Sequence, residues 1–278
     1  NKDVLVFCVG DDWQDINSFA GSDLYYFDNF TDCFDKSIEM SLLTNYRSGK
    51  NIVDLSNRLM DGLGDKSKSN SNDMKLIAQC LTNDIIIDSD KDYLPVMNNN
   101  FIDYEIAKQL KFCHKIITYE TNLDRINNDN YFNALIINRT NDIGSWFSKE
   151  KFKNNLYEMC KGDISKDNFN KIRITTAHGS KGSEANIVIL LNVNNKKYPL
   201  VHPDQAFNLI FDDQCIENSL QEEKRLFYVA MTRAKDQLFF VSDEINESDF
   251  FKDISINWVP LEFDDLLINR VPPEVIKK

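Results

Sequence analysis

The sequence predicts an α/β protein in which helices cover both faces of a mainly parallel sheet. Short apolar runs rich in β-branched and aromatic residues recur along the chain. Most are continuous rather than alternating, which suits strands buried on both faces. Amphipathic helical patterns fall between them, the alternation expected of α/β folds.

In chain order the strand runs are Val4 to Val9, Met40 to Leu43, Ala134 to Ile137, Ile172 to Thr176, Ile187 to Leu191 and Leu238 to Val241, with Ile85 to Ile87 as a seventh candidate. The helical patterns are Asn51 to Met60, Ile102 to Ile117 and Glu222 to Ala234. Gly62 to Asp73 and Asn122 to Asn130 are polar and read as surface loops. Beyond Val241 the chain is acidic and carries Pro260, Pro272 and Pro273, which favours an irregular extension.

With 278 residues and 42% hydrophobic content the chain can bury a full core. No apolar run approaches the ~20 residues that a membrane span needs. Cys8, Cys33, Cys80, Cys113, Cys160 and Cys215 stand singly, without a C-x-x-C pair, so a zinc site or disulfide framework is not expected and a reducing cytoplasm is the simplest setting. The net charge of -12, from 44 acidic and 32 basic residues, opposes long-range attraction to a polyanion. Contact with nucleic acid therefore has to be local. The chain starts at Asn1 without a Met or a signal-like leader, as a piece of a longer protein would.

Four segments carry chemistry. Gly10-Asp11-Asp12-Trp13-Gln14 follows the first apolar run, and ligands of open α/β sheets bind at the carboxyl ends of strands. Its acids could hold magnesium at the end of a strand or simply cap the next helix. Asn45-Tyr46-Arg47-Ser48 also follows a strand run, with Ser48 placed to cap a helix starting after Gly49; Arg47 there could meet phosphate at a helix amino end or be a solvated surface residue.

The third segment, Thr175 to Glu184, passes through His178, Gly179, Lys181 and Gly182, glycines that let a backbone approach phosphate closely. It is not a phosphate-binding loop of the G-x-x-x-x-G-K-[ST] type, a spacing found nowhere in the chain. No Ser-His-Asp order or metal-ligand spacing accompanies His178, which leaves a polar ligand contact or a structural role. The fourth, Glu222 to Lys235, aligns Leu226, Val229 and Ala230 in one apolar stripe with Arg233 on the same stripe. A guanidinium there is costly unless it meets an anion such as a triphosphate or snorkels to solvent at the helix end.

Together and in this order, the four segments resemble the later motifs of the UvrD/Rep/PcrA-like superfamily 1 DNA helicases, and the Gly-Asp-Asp-Trp-Gln form is most similar to the helicase IV branch. The likeness runs over roughly residues 4 to 242. It departs from the usual pattern at Asn17, Ala20 and Ser183.

The resemblance implies a RecA-like three-layer α/β/α fold. Residues 1–35 would end a first RecA-like domain, residues 36–242 would form a second without a large inserted accessory domain, and residues 243–278 would be an acidic extension. It implies an ATP-dependent 3'-to-5' DNA helicase or translocase. Gln14, Arg47 and Arg233 are the catalytic contacts to the phosphates, and Asp11, Tyr46, Gly182 and Glu184 the remaining ATP contacts. Phe19, Asn141, Thr176 and His178 would face single-stranded DNA. The Walker A lysine and the Asp-Glu motif, with the magnesium ligands, are expected upstream of Asn1, in the first RecA-like domain of the full-length chain. This portion alone is then inactive, and no metal ligand is expected within it. A second reading is a non-catalytic helicase-like module that binds a protein partner.

Overall fold

The computed structural model of the protein describes residues 6–34, 36–82, 97–98, 101–102, 104–144, 147–200 and 213–254. Its centre is a five-stranded sheet of β1 (Leu76–Leu81), β2 (Ala134–Asn138), β3 (Ile172–Thr176), β4 (Ala185–Leu190) and β5 (Ala234–Ser242). The spatial order is β1-β5-β4-β2-β3, and every neighbouring pair is parallel.

The continuous apolar runs are explained by where successive side chains go. Ile187 and Ile189 of β4 enter one core and Val188 and Leu190 the other; Ala134 and Ile136 of β2 divide in the same way from Leu135 and Ile137. A strand sends alternate side chains to opposite faces, so a strand covered on both sides must be apolar throughout.

The first face is covered by α2 (Tyr104–Thr118), α3 (Glu120–Asn128), α4 (Lys149–Cys160) and α5 (Lys166–Phe169), which bury Leu110, Ile126, Phe152 and Phe169. The second is covered by α1 (Lys50–Leu59), α6 (Asp213–Met231) and α7 (Phe250–Ile254), which bury Ile52, Leu59, Leu226 and Phe250. The arrangement is the three-layer α/β/α sandwich with a parallel sheet that the sequence led us to expect.

Several expectations are corrected. Residues 6–9 of the first apolar run are irregular, with Phe7 88% and Val9 78% exposed, because no neighbouring strand pairs with them among the described residues. Met40 to Leu43 is also irregular; only Thr44–Asn45 beyond it pairs, with Lys68–Ser69 inside the expected loop. The edge strand β1 was hidden by Ala78 and Gln79, poor strand formers. Gln79 is buried because its amide donates to Ser242 Oγ and Glu247 Oε1.

Asn122 to Asn130, read as a loop, is largely α3, since Ile126 packs into the core and the Asn122 amide donates to the Ile116 carbonyl. Ser48 does not cap α1. Gly49 holds that position, where a Cβ would come within 2.8 Å of the Asp73 carbonyl, and Ser48 Oγ donates to the Ala234 carbonyl instead. The helix over Glu222 begins earlier than expected and stops at Met231, which leaves Arg233 beyond its end. The start of the extension is ordered as α7, and Ile85 to Ile87 and residues 255–278 lie outside the described residues.

Phe227 is the anchor of the second core, its ring centroid 5.0 Å from that of Tyr198, 5.8 Å from Phe240 and 5.5 Å from Phe250. Phe227→Ala is expected to lower the unfolding free energy by about 3 to 5 kcal/mol, read from the midpoint and slope of a urea titration.

Candidate functional site

The expected contacts gather at two opposite rims of the sheet. At the amino rim, Ala185 of β4 and Ala234 of β5 are register partners, so the residues flanking them in sequence become neighbours in space. That pairing brings Ser183 and Glu184 to Arg233 and Lys235. Arg47 is delivered from across the chain: the Asn45 carboxamide oxygen accepts from the backbone N–H groups of Arg47 (2.9 Å) and Ser48 (3.0 Å), and Ser48 Oγ is fixed on the Ala234 carbonyl at 2.8 Å.

Within this cluster Arg47 Nε donates to Glu184 Oε2 at 3.1 Å, and Lys235 Nζ takes Glu184 Oε1. Lys235 first, then Arg47, holds the Glu184 carboxyl below its ordinary range. Arg233 is only 2% exposed. Its Nε donates to the Val229 carbonyl at 2.7 Å, Nη1 to the Ser183 carbonyl at 3.3 Å and Nη2 to Thr232 Oγ1 at 3.3 Å. Burial, and secondarily the charge of Arg47, brings the Arg233 pKa down to about 10, so it remains a cation at neutral pH. Two cations thus share the Glu184 carboxylate, and Arg233 lies in the field of Asp11 and Glu184 without a bond to either.

Tyr46 stands beside the cluster and is 78% exposed. Gly182 takes a φ of +80° in the turn before β4, a conformation that strains other residues.

Asp12–Gln14 forms a short 3-10 turn against the same region. Trp13 is buried, its indole donating to the Leu63 carbonyl and its ring meeting Tyr228 edge-on at 5.2 Å. Lys181 Nζ donates to the Gln14 carbonyl at 2.8 Å, and the Gln14 amide donates to the Asp11 carboxylate. Of the two roles open to the acids, capping is the one Asp11 performs, accepting from the Trp13 N–H. Burial first raises the Asp12 pKa. Among the described residues no group of three or more His, Cys, Asp or Glu could hold a metal ion.

At the carboxyl rim, Asn138 of β2 and Thr176 of β3 are partners, and the loops that follow them carry Asn141 and His178. Thr176 Oγ1 accepts from the Gly179 N–H, and Asn141 Oδ1 accepts from Lys149 Nζ at 3.1 Å. Burial and then the charge of Arg139 push the His178 pKa down, so its ring is neutral at neutral pH and can make hydrogen bonds but no ion pair. The backbone at Phe19 lies in a 3-10 turn, Ser18–Ala20, and Ser18 Oγ donates to the Glu222 carboxylate. The Phe19 side chain lies outside the described residues.

Three residues of these clusters escaped the sequence reading. Lys235 stands inside a quoted segment, but only the β4–β5 register turns it toward Glu184. Arg139 and Glu223 form a two-pronged ion pair, Nε to Oε2 at 3.2 Å and Nη2 to Oε1, with both side chains 12% exposed. Glu223 Oε2 also accepts from the Leu200 N–H. Partners 84 positions apart leave no local signal.

Residues 153–244 match the family model of the UvrD-like helicase C-terminal domain. The chain is 25% identical over 259 residues to DNA helicase IV of Escherichia coli (strain K12), covering 90% of this chain and 31% of that protein. It is 26% identical over 238 residues to a protein named Probable DNA helicase of Mycoplasma pneumoniae, covering 85% and 38%. A 71-residue stretch is 34% identical to ATP-dependent DNA helicase Rep of Buchnera aphidicola, covering 26% and 9%. The chain therefore spans about a third of the length of the first two relatives. The matches bear out the resemblance carried by the four segments. Among the described residues no helix is long and apolar enough to cross a membrane.

Removing one partner of a buried ion pair leaves the other charge desolvated and unpaired. Glu223→Ala is accordingly expected to destabilise the fold by about 3 kcal/mol through the stranded Arg139. An unshifted urea midpoint would show that Arg139 finds solvent without cost.

Proposed function

We propose, from this similarity to the C-terminal part of UvrD-like DNA helicases, that the chain is the ATP-closing and strand-holding half of an ATP-dependent 3'-to-5' DNA translocase. The observation that carries the proposal is the amino-rim cluster. Arg47 and Lys235 both bond the Glu184 carboxylate, and the buried Arg233 hydrogen-bonds only to neutral oxygens, with Asp11 and Glu184 acting on it without a direct bond. A buried cation without a directly bonded anion is costly, and the polyphosphate of ATP is the anion that would complete it.

In this reading the exposed Tyr46 ring stacks on the adenine, Glu184 and the Gly182 backbone meet the ribose and phosphates, and Gln14, beside Asp11, senses the terminal phosphate. Arg47 and Arg233 stabilise the charge that develops on the transferred phosphoryl group. Thr176, His178, Asn141 and Phe19 hold the single strand at the other rim.

Residues 1–35 would end a first RecA-like domain, and residues 36–242 would form the second. The exposed apolar side chains of Val6, Phe7 and Val9 support the first assignment, since an apolar strand run of this kind is ordinarily covered by a neighbouring element. The phosphate-binding loop and magnesium ligands would belong to that first domain. Closing of the two domains on ATP and reopening after hydrolysis would move them along single-stranded DNA. The free cysteines suit the reducing cytoplasm in which such an enzyme works.

The full-length protein is expected to hydrolyse ATP faster in the presence of single-stranded DNA. Arg233→Ala should lower that turnover by about 10³-fold or more, the range of a transition-state arginine. Tyr46→Ala should raise KM for ATP about tenfold with a smaller change in kcat, as loss of ~1 to 3 kcal/mol of base stacking would. Turnover retained in Arg233→Ala would sink the catalytic assignment, and a wild-type protein that neither binds single-stranded DNA nor hydrolyses ATP would favour a partner-binding module.

A further inference from the structure

The loop after β2 is fixed at the carboxyl rim before any ligand arrives. Asn138 Nδ2 donates to the carbonyls of Thr140 (2.9 Å) and Asp142 (3.0 Å), and Asn192 Nδ2 locks Asn138 Oδ1 from the segment after β4. Arg139 cannot serve an outside anion, because both prongs of its guanidinium are taken by Glu223.

Two lysines bracket this loop. Lys197, from the segment after β4, places Nζ 3.2 Å from Thr140 Oγ1. Lys149, the first residue of α4, places Nζ 3.1 Å from Asn141 Oδ1. Both side chains are half-buried, which limits the arc their ammonium groups can sweep. Neither has a carboxylate within ion-pair distance among the described residues, whereas Lys50, Lys75, Lys224 and Lys235 all do. The acids nearest Lys149 in sequence, Glu150 and Asp142, are exposed and pair with neither lysine. Two undischarged cations, held about a hydrogen bond from one loop by weak neutral acceptors, form a site for singly charged oxygens spaced along a chain.

We infer that Lys149 and Lys197 contact successive phosphates of a single-stranded nucleic acid and carry its backbone across the carboxyl rim. Thr140 Oγ1 and Asn141 Oδ1 park the ammonium groups until phosphate oxygens replace them. The charged acceptor makes the stronger bond. The inference rests on the reading that this rim holds a single strand, and extends it by two residues and by the chemistry of the contact. Because a phosphate carries no base identity, the contact is blind to sequence.

The test is binding of a labelled single-stranded oligonucleotide to the full-length protein across a potassium chloride series. Each released counterion adds about 0.7 to the slope of log affinity against log salt for a single strand. Lys149→Gln and Lys197→Gln should each weaken binding about threefold to tenfold near 0.1 M salt and flatten the slope by about 0.7; the double variant should flatten it by about 1.4. The loss should be equal for oligonucleotides of different sequence, and Lys→Arg at either position should restore the slope. Wild-type binding with an unchanged slope in the double variant would overturn the inference alone, as would weakened affinity without flattening. Absence of any binding by the wild type would overturn the reading beneath it.

Discussion

The whole arrangement follows from one constraint, that all five strands of the sheet run the same way. Every strand leaves at the carboxyl rim, and the chain must return across a face to start the next at the amino rim. Two of these returns carry the candidate site residues. Residues 177–184 join β3 to β4 across the face that α6 also covers, starting beside Thr176 and His178 and finishing at Gly182 and Glu184. At ~3.5 Å per residue an eight-residue link reaches at most about 28 Å. The path along a six-residue strand and past one intervening strand is about 22 Å. Part of the link is also coiled into a 3-10 turn, His178–Ser180. Little slack remains between the two rims. Helix α6 is the second return: Glu223 is pinned at the carboxyl rim through Arg139 and Leu200, and the helix hands on to Arg233 at the amino rim.

Arg139 and Arg233 differ in their partners, as a structural arginine would differ from the proposed phosphate-binding one. Both are shielded from solvent. Arg139 meets a carboxylate in a two-pronged geometry that cancels its charge within the fold. Arg233 meets two carbonyls and a hydroxyl, which satisfy its hydrogen-bonding directions but not its charge. Arg47 next to it adds to the imbalance, and Glu184 is already shared between Arg47 and Lys235. A fold selected for stability alone would have no use for that imbalance. Its presence beside an exposed aromatic ring and a glycine in the left-handed region suits the proposed polyphosphate site.

The central layers were legible from the chain because burial on both faces leaves a continuous apolar signature in β2, β4 and β5. The edge strand β1 was not, because its buried Gln79 is satisfied only by Ser242 and Glu247 far along the sequence. The runs at Val6 to Val9 and Met40 to Leu43 carry strand-forming residues without a paired neighbour, and propensity alone does not make a strand. In the site, Arg47, Glu184 and Arg233, which the resemblance assigned to one ligand, do lie together. The orientation was the part that misled: they meet at the amino ends of β4 and β5, while the strand-end rule pointed to the carboxyl ends, which hold Thr176, Asn141 and His178. A helix pattern drawn through to Ala234 also made Arg233 part of a stripe, when it is the turn after Met231 that buries it.

The net charge of -12 limits how such a protein can meet polyanions. At physiological salt the field of the whole chain is screened beyond about 8 Å, so its repulsion weakens close to the surface and short-range geometry decides. Several of the basic side chains that could act at that range are neutralised by neighbouring carboxylates, as Lys75 is by Asp236 and Lys224 by Asp253. Those bonded only to neutral oxygens include Arg233 and Lys181 near the amino-rim cluster and Lys149 and Lys197 on the carboxyl rim. Positive charge is thus left unspent where the two anionic ligands of the proposed reaction would lie. An acidic surface with such local exceptions gains no long-range steering toward a polyanion, so binding has to rest on these short-range contacts.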